Sequence, residues 1–471
     1  MIGDAVHAWM VAARLARDLR RHEVRIVLLE DAPGPGPGIL CLDPDIHAFH
    51  RSLGVGLEDL LRHLRAGLRY GTQFVDWAGA GRSGFAPFGD AGQMIERVPF
   101  QHYVTALRAV RGDARLADFA PAALAARAGR FGTGGRGPLA GLEAGLSVER
   151  SDYLAFLRAL GTDLGVQHVP GVVQQVQYDA DGHAQAVLLE DGQTLSADGF
   201  FDCSQNARLA SVGGSTARHA FPARVGVTRR EFRRARLDGP APLVDQVVRR
   251  DDGWERFRCV ADSVEAERVW TAGPDDDASA PGAHGWLRAP WQGRCVALGP
   301  ALGEPEDLVV DRWRLTRRAI AHWLRLLPGR EPCPKLRDEF NRVVVAEARR
   351  LADAQGLPLL CAADRTPDAA ARVRIDEAAA ADLRYRMMLY RAGGRLAFHE
   401  EDPLDAPRWM MLLEAMHVLA GAADRLLPAM APEELARRME RVGASLAQAV
   451  AGLPAHAQAL ARLRQAEGAV P

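Results

Sequence analysis

Apolar and polar positions along this chain switch between a helical and a strand period. Between Ala8 and Arg21, Val11, Ala12, Leu15, Ala16 and Leu19 recur three and four residues apart, which predicts a helix with one face on a core. The next run, Val24 to Glu30, is β-branched and mostly apolar and is bounded by His22 and the Gly/Pro segment Pro33 to Gly38, as expected of a buried parallel strand. A helix followed by a strand that ends in an acid is half of a dinucleotide-binding βαβ unit. Only Met1 and Ile2 stand before Gly3 to make the first strand, where strands usually run to about five residues.

Residues 171–202 alternate in strand fashion, with Val172 to Val176 and Ala186 to Leu189 separated by the hairpin turn Asp179-Ala180-Asp181-Gly182. From Asp311 onward helical spacing dominates, in Ile320, Trp323, Leu324 and Leu327, then over 409–419 and 435–463. The Ala/Arg/Gly-rich stretch 114–145 offers little to bury and predicts loop or loosely packed helix, a mobile insertion. The pattern as a whole predicts an α/β protein: a doubly wound, Rossmann-like domain with a β-rich middle section over 1–310, and a helical subdomain over 311–471.

At 471 residues the chain can bury a large core, and 59 Lys+Arg against 60 Asp+Glu leave a net charge of -1. That balance argues against a nucleic-acid or membrane-surface partner. No run approaches the ~20 uncharged apolar residues of a membrane helix, and no basic start leads into an apolar segment, so a cytoplasmic protein is expected. Six cysteines stand without C-x-x-C pairs or histidines at ligand spacing, which points to buried thiols and to no metal site. Lysine is almost absent: Lys335 is the single one.

The nucleotide-loop pattern G-x-G-x-x-G reads here as Gly3-Asp4-Ala5-Val6-His7-Ala8. The first glycine is kept and Ala8 is acceptable at the third position. Ala5, however, puts a methyl group where a phosphate would approach, and Asp4 adds a negative charge beside it. Glu30, 22 residues beyond Ala8, is spaced to bond ribose hydroxyls. His47 and His50 read as a partly buried surface pair on a helix, and Cys203 has no base nearby in sequence.

Several segments, in order, resemble the flavin-dependent tryptophan halogenase family. Ala8-Trp9-Met10-Val11-Ala12-Ala13 is similar to its G-W-M-A-A helix start. Phe74-Val75-Asp76-Trp77 with Phe85-Ala86-Pro87-Phe88-Gly89 is similar to its F-V-x-W and Y-x-H-P-F-G stretch, and Phe201-Asp202-Cys203-Ser204 to F-I-D-C-S. Trp291 to Gly299 resembles W-x-x-N-C-V-A-L-G, Glu304-Pro305 the start of E-P-L-E-S-T, and Leu453-Pro454-Ala455-His456 the terminal M-P-x-H. The resemblance implies reduced FAD supplied by a separate reductase, a flavin hydroperoxide attacked by halide, and hypohalous acid relayed through a lysine to an aromatic substrate, small or peptide-borne. It places Gly3, Ala5, Ala8, Glu30, Glu304 and Pro305 at the flavin, Phe88 and Trp409 as aromatic walls, and Glu306 or Asp307 as the partner acid.

The relay lysine aligns with Arg69, in Ala66-Gly67-Leu68-Arg69-Tyr70-Gly71. A guanidinium stays charged and is a poor carrier of halogen, although its N–H fork can orient an anion. The flavin-side G-V-G-E-A-T-I-P becomes Pro37 to Pro44, without its glutamate and most of its glycines, W-x-W-x-I-P becomes Trp254 to Cys259, and the histidine of H-P-F becomes Ala86. Three readings stay open: a divergent halogenase, a non-catalytic binding or partner module beside a flavin reductase or an active paralogue, and a flavin oxygenase that does not halogenate.

Overall fold

The computed structural model describes residues 1–30, 38–64, 66–132, 134–180, 182–205, 207, 209, 217–225, 228–271, 285–329, 333–366 and 372–465. A six-stranded sheet forms the Rossmann-like core, in the order Trp291–Gln292, Cys295–Ala297, Phe200–Cys203, Ile2–Gly3, Val27–Glu30 and Gln167–Val169. All neighbours run parallel except the first pair. The first strand is as short as the sequence implies, yet it is central, with Ile2 paired to both Leu29 and Asp202. The Met1 ammonium extends it by donating to the Val27 carbonyl at 2.7 Å. A strand between two parallel neighbours reads as a continuous apolar run, which is why the strand ending at Glu30 was visible in the sequence.

The opening helix spans Ala5–Asp18 and is buried along most of its length, as its apolar face requires. Its strand is shorter than the pattern suggests: pairing begins at Val27, while Val24 is 51% exposed in the turn before it. The predicted hairpin forms from Val173–Tyr178 and Ala184–Leu189, with Thr194–Ser196 as a third antiparallel strand; Asp181, within the turn, lies outside the described residues.

A second six-stranded sheet, Thr228–Arg236, Ser263–Thr271, Gly253–Val260, Asp245–Arg250, Gly71–Val75 and Ser83–Pro87, stands beside a three-stranded one made of Ile39–Leu42, Gly145–Glu149 and Gly67–Arg69. Asp245–Arg250 runs parallel to Gly71–Val75 and aligns Asp245 with Thr72. Gly84 lets the helix Ala406–Ala415 lie directly on the last strand: a β-carbon there would sit 2.1 Å from the Ala415 carbonyl oxygen. The later helices pack back on earlier elements, Pro432–Ala451 on Phe100–Arg111 and His456–Gln465 on Leu57–His63.

The expectation of loop or loosely packed helix over 114–145 is corrected for its first half, while the described residues of 128–144 form mostly irregular chain with the single 3-10 turn Gly137–Leu139. Leu116–Phe119 forms a 3-10 turn and Pro121–Arg127 a helix; Ala122, Ala123 and Ala125 within it and Ala120 just before it are wholly buried. Alanine is a strong helix former with a small side chain, so a segment poor in large apolar residues still packs closely. All six cysteines are free thiols, with Cys333 exposed. His50 is fully buried rather than half at the surface, and its Nε2 lies 2.9 Å from the Tyr153 hydroxyl. Among the described residues no helix is long and apolar enough to cross a membrane, and no group of three potential metal ligands converges.

Candidate functional site

Gly3 meets the strand Phe200–Cys203 so closely that a β-carbon would lie 2.1 Å from the Cys203 carbonyl carbon, and its φ of +130° favours glycine independently. Asp4 follows as the N-cap of the opening helix. Its carboxylate accepts from the backbone N–H of Val6 at 3.1 Å and of His7 at 3.4 Å. The other oxygen is held by Arg150 at 3.3 Å. Ala5 and Ala8 have no exposed surface, so the face of the loop is covered by protein.

His7 is buried beneath Gly299 and joins this loop to the later chain. Nδ1 is 2.8 Å from the Thr316 hydroxyl and Nε2 is 2.9 Å from Glu304. Burial works against a proton on His7, but the Glu304 carboxylate outweighs it and raises the imidazole above its ordinary range. Glu304 is thereby engaged, with Pro305 half-buried beside it. Glu30 is engaged too: it accepts from the Trp9 indole at 2.9 Å and from the guanidinium of Arg158.

Arg69 is 4% exposed and stands in the three-stranded sheet, pointing at the strand Gly71–Val75. Its Nε is 2.7 Å from Asp245, Nη1 donates to Asp43 at 3.1 Å and Nη2 to Thr72 at 3.1 Å. Burial disfavours its charge, but Asp245, Cys41 and Asp43 hold it protonated far above any working pH. Asp43 in turn bonds through its backbone N–H to Asp311, which accepts from Arg317. Burial and then the nearby Asp311 push the Asp43 carboxyl above its usual range. Phe88 is clamped between cations, with Arg69 4.8 Å and Arg408 5.0 Å from its ring centre. Trp409 is completely buried under Arg386, 4.1 Å from the ring centre.

Glu306 and Asp307 lie in a second arginine cluster. Glu306 accepts both oxygens' worth of bonds from Arg230, at 2.7 and 2.6 Å. Asp307 contacts Arg256 and Arg312, each at 3.1 Å. Although burial raises its pKa, Arg312, Arg256 and Arg258 drive it far below the carboxylate range. Glu267 joins the same cluster and is lowered to about 2, Arg258 outweighing burial. Among the described residues no ion pair links Glu306 or Asp307 directly to Arg69, whose own partners are Asp43, Asp245 and Thr72.

The Asp4 cap had a local signal, an Asp before an apolar helical run. The partners of Arg69 had none, because Asp43 and Asp245 are distant in sequence and meet only in the tertiary fold. The same holds for Arg150, Arg158 and Arg408.

A parallel sheet with a helix starting directly after its central strand, carrying a β-rich section and a helical cover, defines a dinucleotide-type α/β protein. The chain matches the family model described as tryptophan halogenase over residues 1–219 and 268–432, and it belongs to that family. It is 28% identical over 229 residues to tryptophan 7-halogenase RebH of Lentzea aerocolonigenes; this match spans 43% of the chain and 41% of that relative's length. Two solved structures share the fold over nearly all of both chains. BrvH, a flavin-dependent halogenase from Brevundimonas sp. BAL3, superposes with a TM-score of 0.86 at 23% identity, covering 98% of each chain. A flavin-dependent halogenase from Xanthomonas campestris gives 0.84 at 24% identity, covering 100% of this chain and 98% of its own.

A flavin dinucleotide in this kind of fold would set its pyrophosphate on the N–H groups opening the first helix and its ribose on the acid ending the next strand. Here those N–H groups are taken by the chain's own carboxylate, Asp4, and the acid by Trp9 and Arg158.

Proposed function

We propose that this family member keeps the halogenase fold as a binding module and does not halogenate. One observation carries the reading: the phosphate-binding end of the opening helix is closed by the Asp4 carboxylate. Arg69 supports it. A side chain fixed by two aspartates and a threonine, and permanently cationic, has neither the lone pair nor the freedom a halogen relay needs. Glu306 and Asp307 likewise serve arginines, and the arginines around Asp307 leave that carboxylate a poor proton acceptor for an aromatic carbon.

In this reading the chain's residues do structural work at the old catalytic positions. Arg69 ties the three-stranded sheet to the strands carrying Thr72 and Asp245, and His7 with Glu304 pins the first helix to the segment after Gly299. The partner is a flavin reductase or an active paralogue, or an aromatic ligand held without turnover.

The test is a turnover assay with FAD, a flavin reductase, NADH, chloride and an aromatic amino acid, analysed by mass spectrometry. Neither the unmodified chain nor R69K is expected to yield chlorinated product. Chlorination by the unmodified chain refutes the proposal. Chlorination by R69K alone would show that flavin binding survives and that only the relay was lost, which also refutes the closed-loop reading.

A further inference from the structure

A cleft of about 430 Å³ opens between the strands Gly71–Val75 and Ser83–Pro87, the 3-10 turn Leu116–Phe119, the helix Pro121–Arg127 and the end of the helix Ala406–Ala415. Gln73 and Phe85 line it and are direct cross-strand partners, so they share one face of the sheet. Thr72, which holds Arg69, points to the other face. The cleft is thus separated from the Arg69 network by the sheet itself.

Its floor is apolar, built from Phe85, Ala117, Ala123, Ala126 and Val244. Both acids on its wall are satisfied from within the protein. Asp118 accepts from Arg127 at 3.1 Å and from the Arg115 backbone N–H at 2.9 Å. Glu414 accepts from Arg108, from the Leu116 N–H at 2.7 Å and from the Tyr390 hydroxyl at 3.2 Å.

The guanidinium of Arg115 is different. Among the described residues it forms no ion pair, and its Nη1 is buried without a hydrogen-bond partner. Arg115 thus places on the cleft wall a guanidinium that no carboxylate of the described residues pairs, and its planar N–H fork suits an anion.

His417 follows the helix Ala406–Ala415 at φ +52° in the left-handed cap that closes it, its N–H on the Glu414 carbonyl and the Val418 N–H on the Leu413 carbonyl. The cap turns its ring to line the cleft, with Nε2 3.4 Å from the Ser83 carbonyl. Burial first, and the nearby Arg115, Arg82 and Arg365, keep the imidazole below its ordinary pKa. The cleft therefore offers an unpaired cation and a neutral imidazole above an apolar floor.

We propose that this cleft binds a small organic acid with a flat apolar body, an aryl carboxylate, whose carboxylate is held by the Arg115 fork and whose ring lies on Phe85 and the alanines. Charge sign and the planar two-donor geometry of arginine select the carboxylate; the apolar floor selects the ring.

Isothermal titration of the full chain with 2-naphthoate and with 2-naphthamide tests this. The two probes have the same shape and differ in charge. The acid is expected to bind one per chain, and the amide at least tenfold more weakly. R115M, shown by its thermal melt to be folded, is expected to lose at least tenfold in affinity for the acid and nothing for the amide. The proposal is overturned if neither probe binds, if the amide matches the acid, or if R115M retains the acid. The acid–amide comparison on the unmodified chain decides the matter even if R115M does not fold.

Discussion

Replacing Arg69 with methionine probes the claim that this position is structural. The change removes the fork between Asp43, Thr72 and Asp245 while keeping most of the side-chain volume. Asp245 then has no other ion-pair partner among the described residues, and its side chain is only 7% exposed. Breaking a buried pair by removing one partner costs about 3–5 kcal/mol. Arg408 remains 3.8 Å from Asp43 and also stays on the Phe88 ring, which sets the expected loss near the lower bound. Urea unfolding followed by tryptophan fluorescence should show R69M about 3 kcal/mol less stable at pH 8 at an unchanged slope. The sign of the pH dependence follows from Asp43, which burial and Asp311 already raise. Losing Arg69 raises it further, so the native state binds more protons than the unfolded one and stability falls as pH rises. R69M should therefore lose less at pH 5 than at pH 8, and R69M/D245N should recover part of the loss. A change below about 1 kcal/mol at pH 8 would refute the buried-network account.

Removing the cap in D4A should cost about 1 kcal/mol of stability, read from the same urea curves. His7 is held above 6.5 by Glu304, so its contribution is complete below the unfolded value and is lost as pH rises through the raised folded one. E304Q should abolish that decline on the alkaline side, seen as a flatter stability profile above pH 6.5. Gly84→Ala would drive a methyl group into the Ala415 backbone, at 2.1 Å, and should lower stability by about 1–3 kcal/mol or prevent folding, as judged by the thermal midpoint and soluble yield.

Elements whose pattern is local were legible in the sequence. The opening helix, the buried strand ending at Glu30, the hairpin and the C-terminal helices each announce themselves within about fifteen residues. The alanine-rich segment around Pro121–Arg127 was misjudged because its packing comes from close approach rather than from large side chains, and hydrophobic content alone does not register that. At the site, the sequence showed which residues differ from the family pattern but not what those residues do. Arg69 reads as a lost lysine until Asp43 and Asp245 are brought to it, from opposite sides in sequence. The cleft was invisible for the same reason: Gln73, Arg115, Val244 and His417 come from four separate stretches, and none carries a motif.

Equilibrium dialysis of the purified chain against FAD, and anaerobically against reduced FAD, tests the central claim most directly. Occupancy no higher than that of a protein lacking any nucleotide site is expected in both redox states, since Asp4, Trp9 and Arg158 already fill the contacts that a dinucleotide would use. Saturable uptake of one flavin per chain would contradict it.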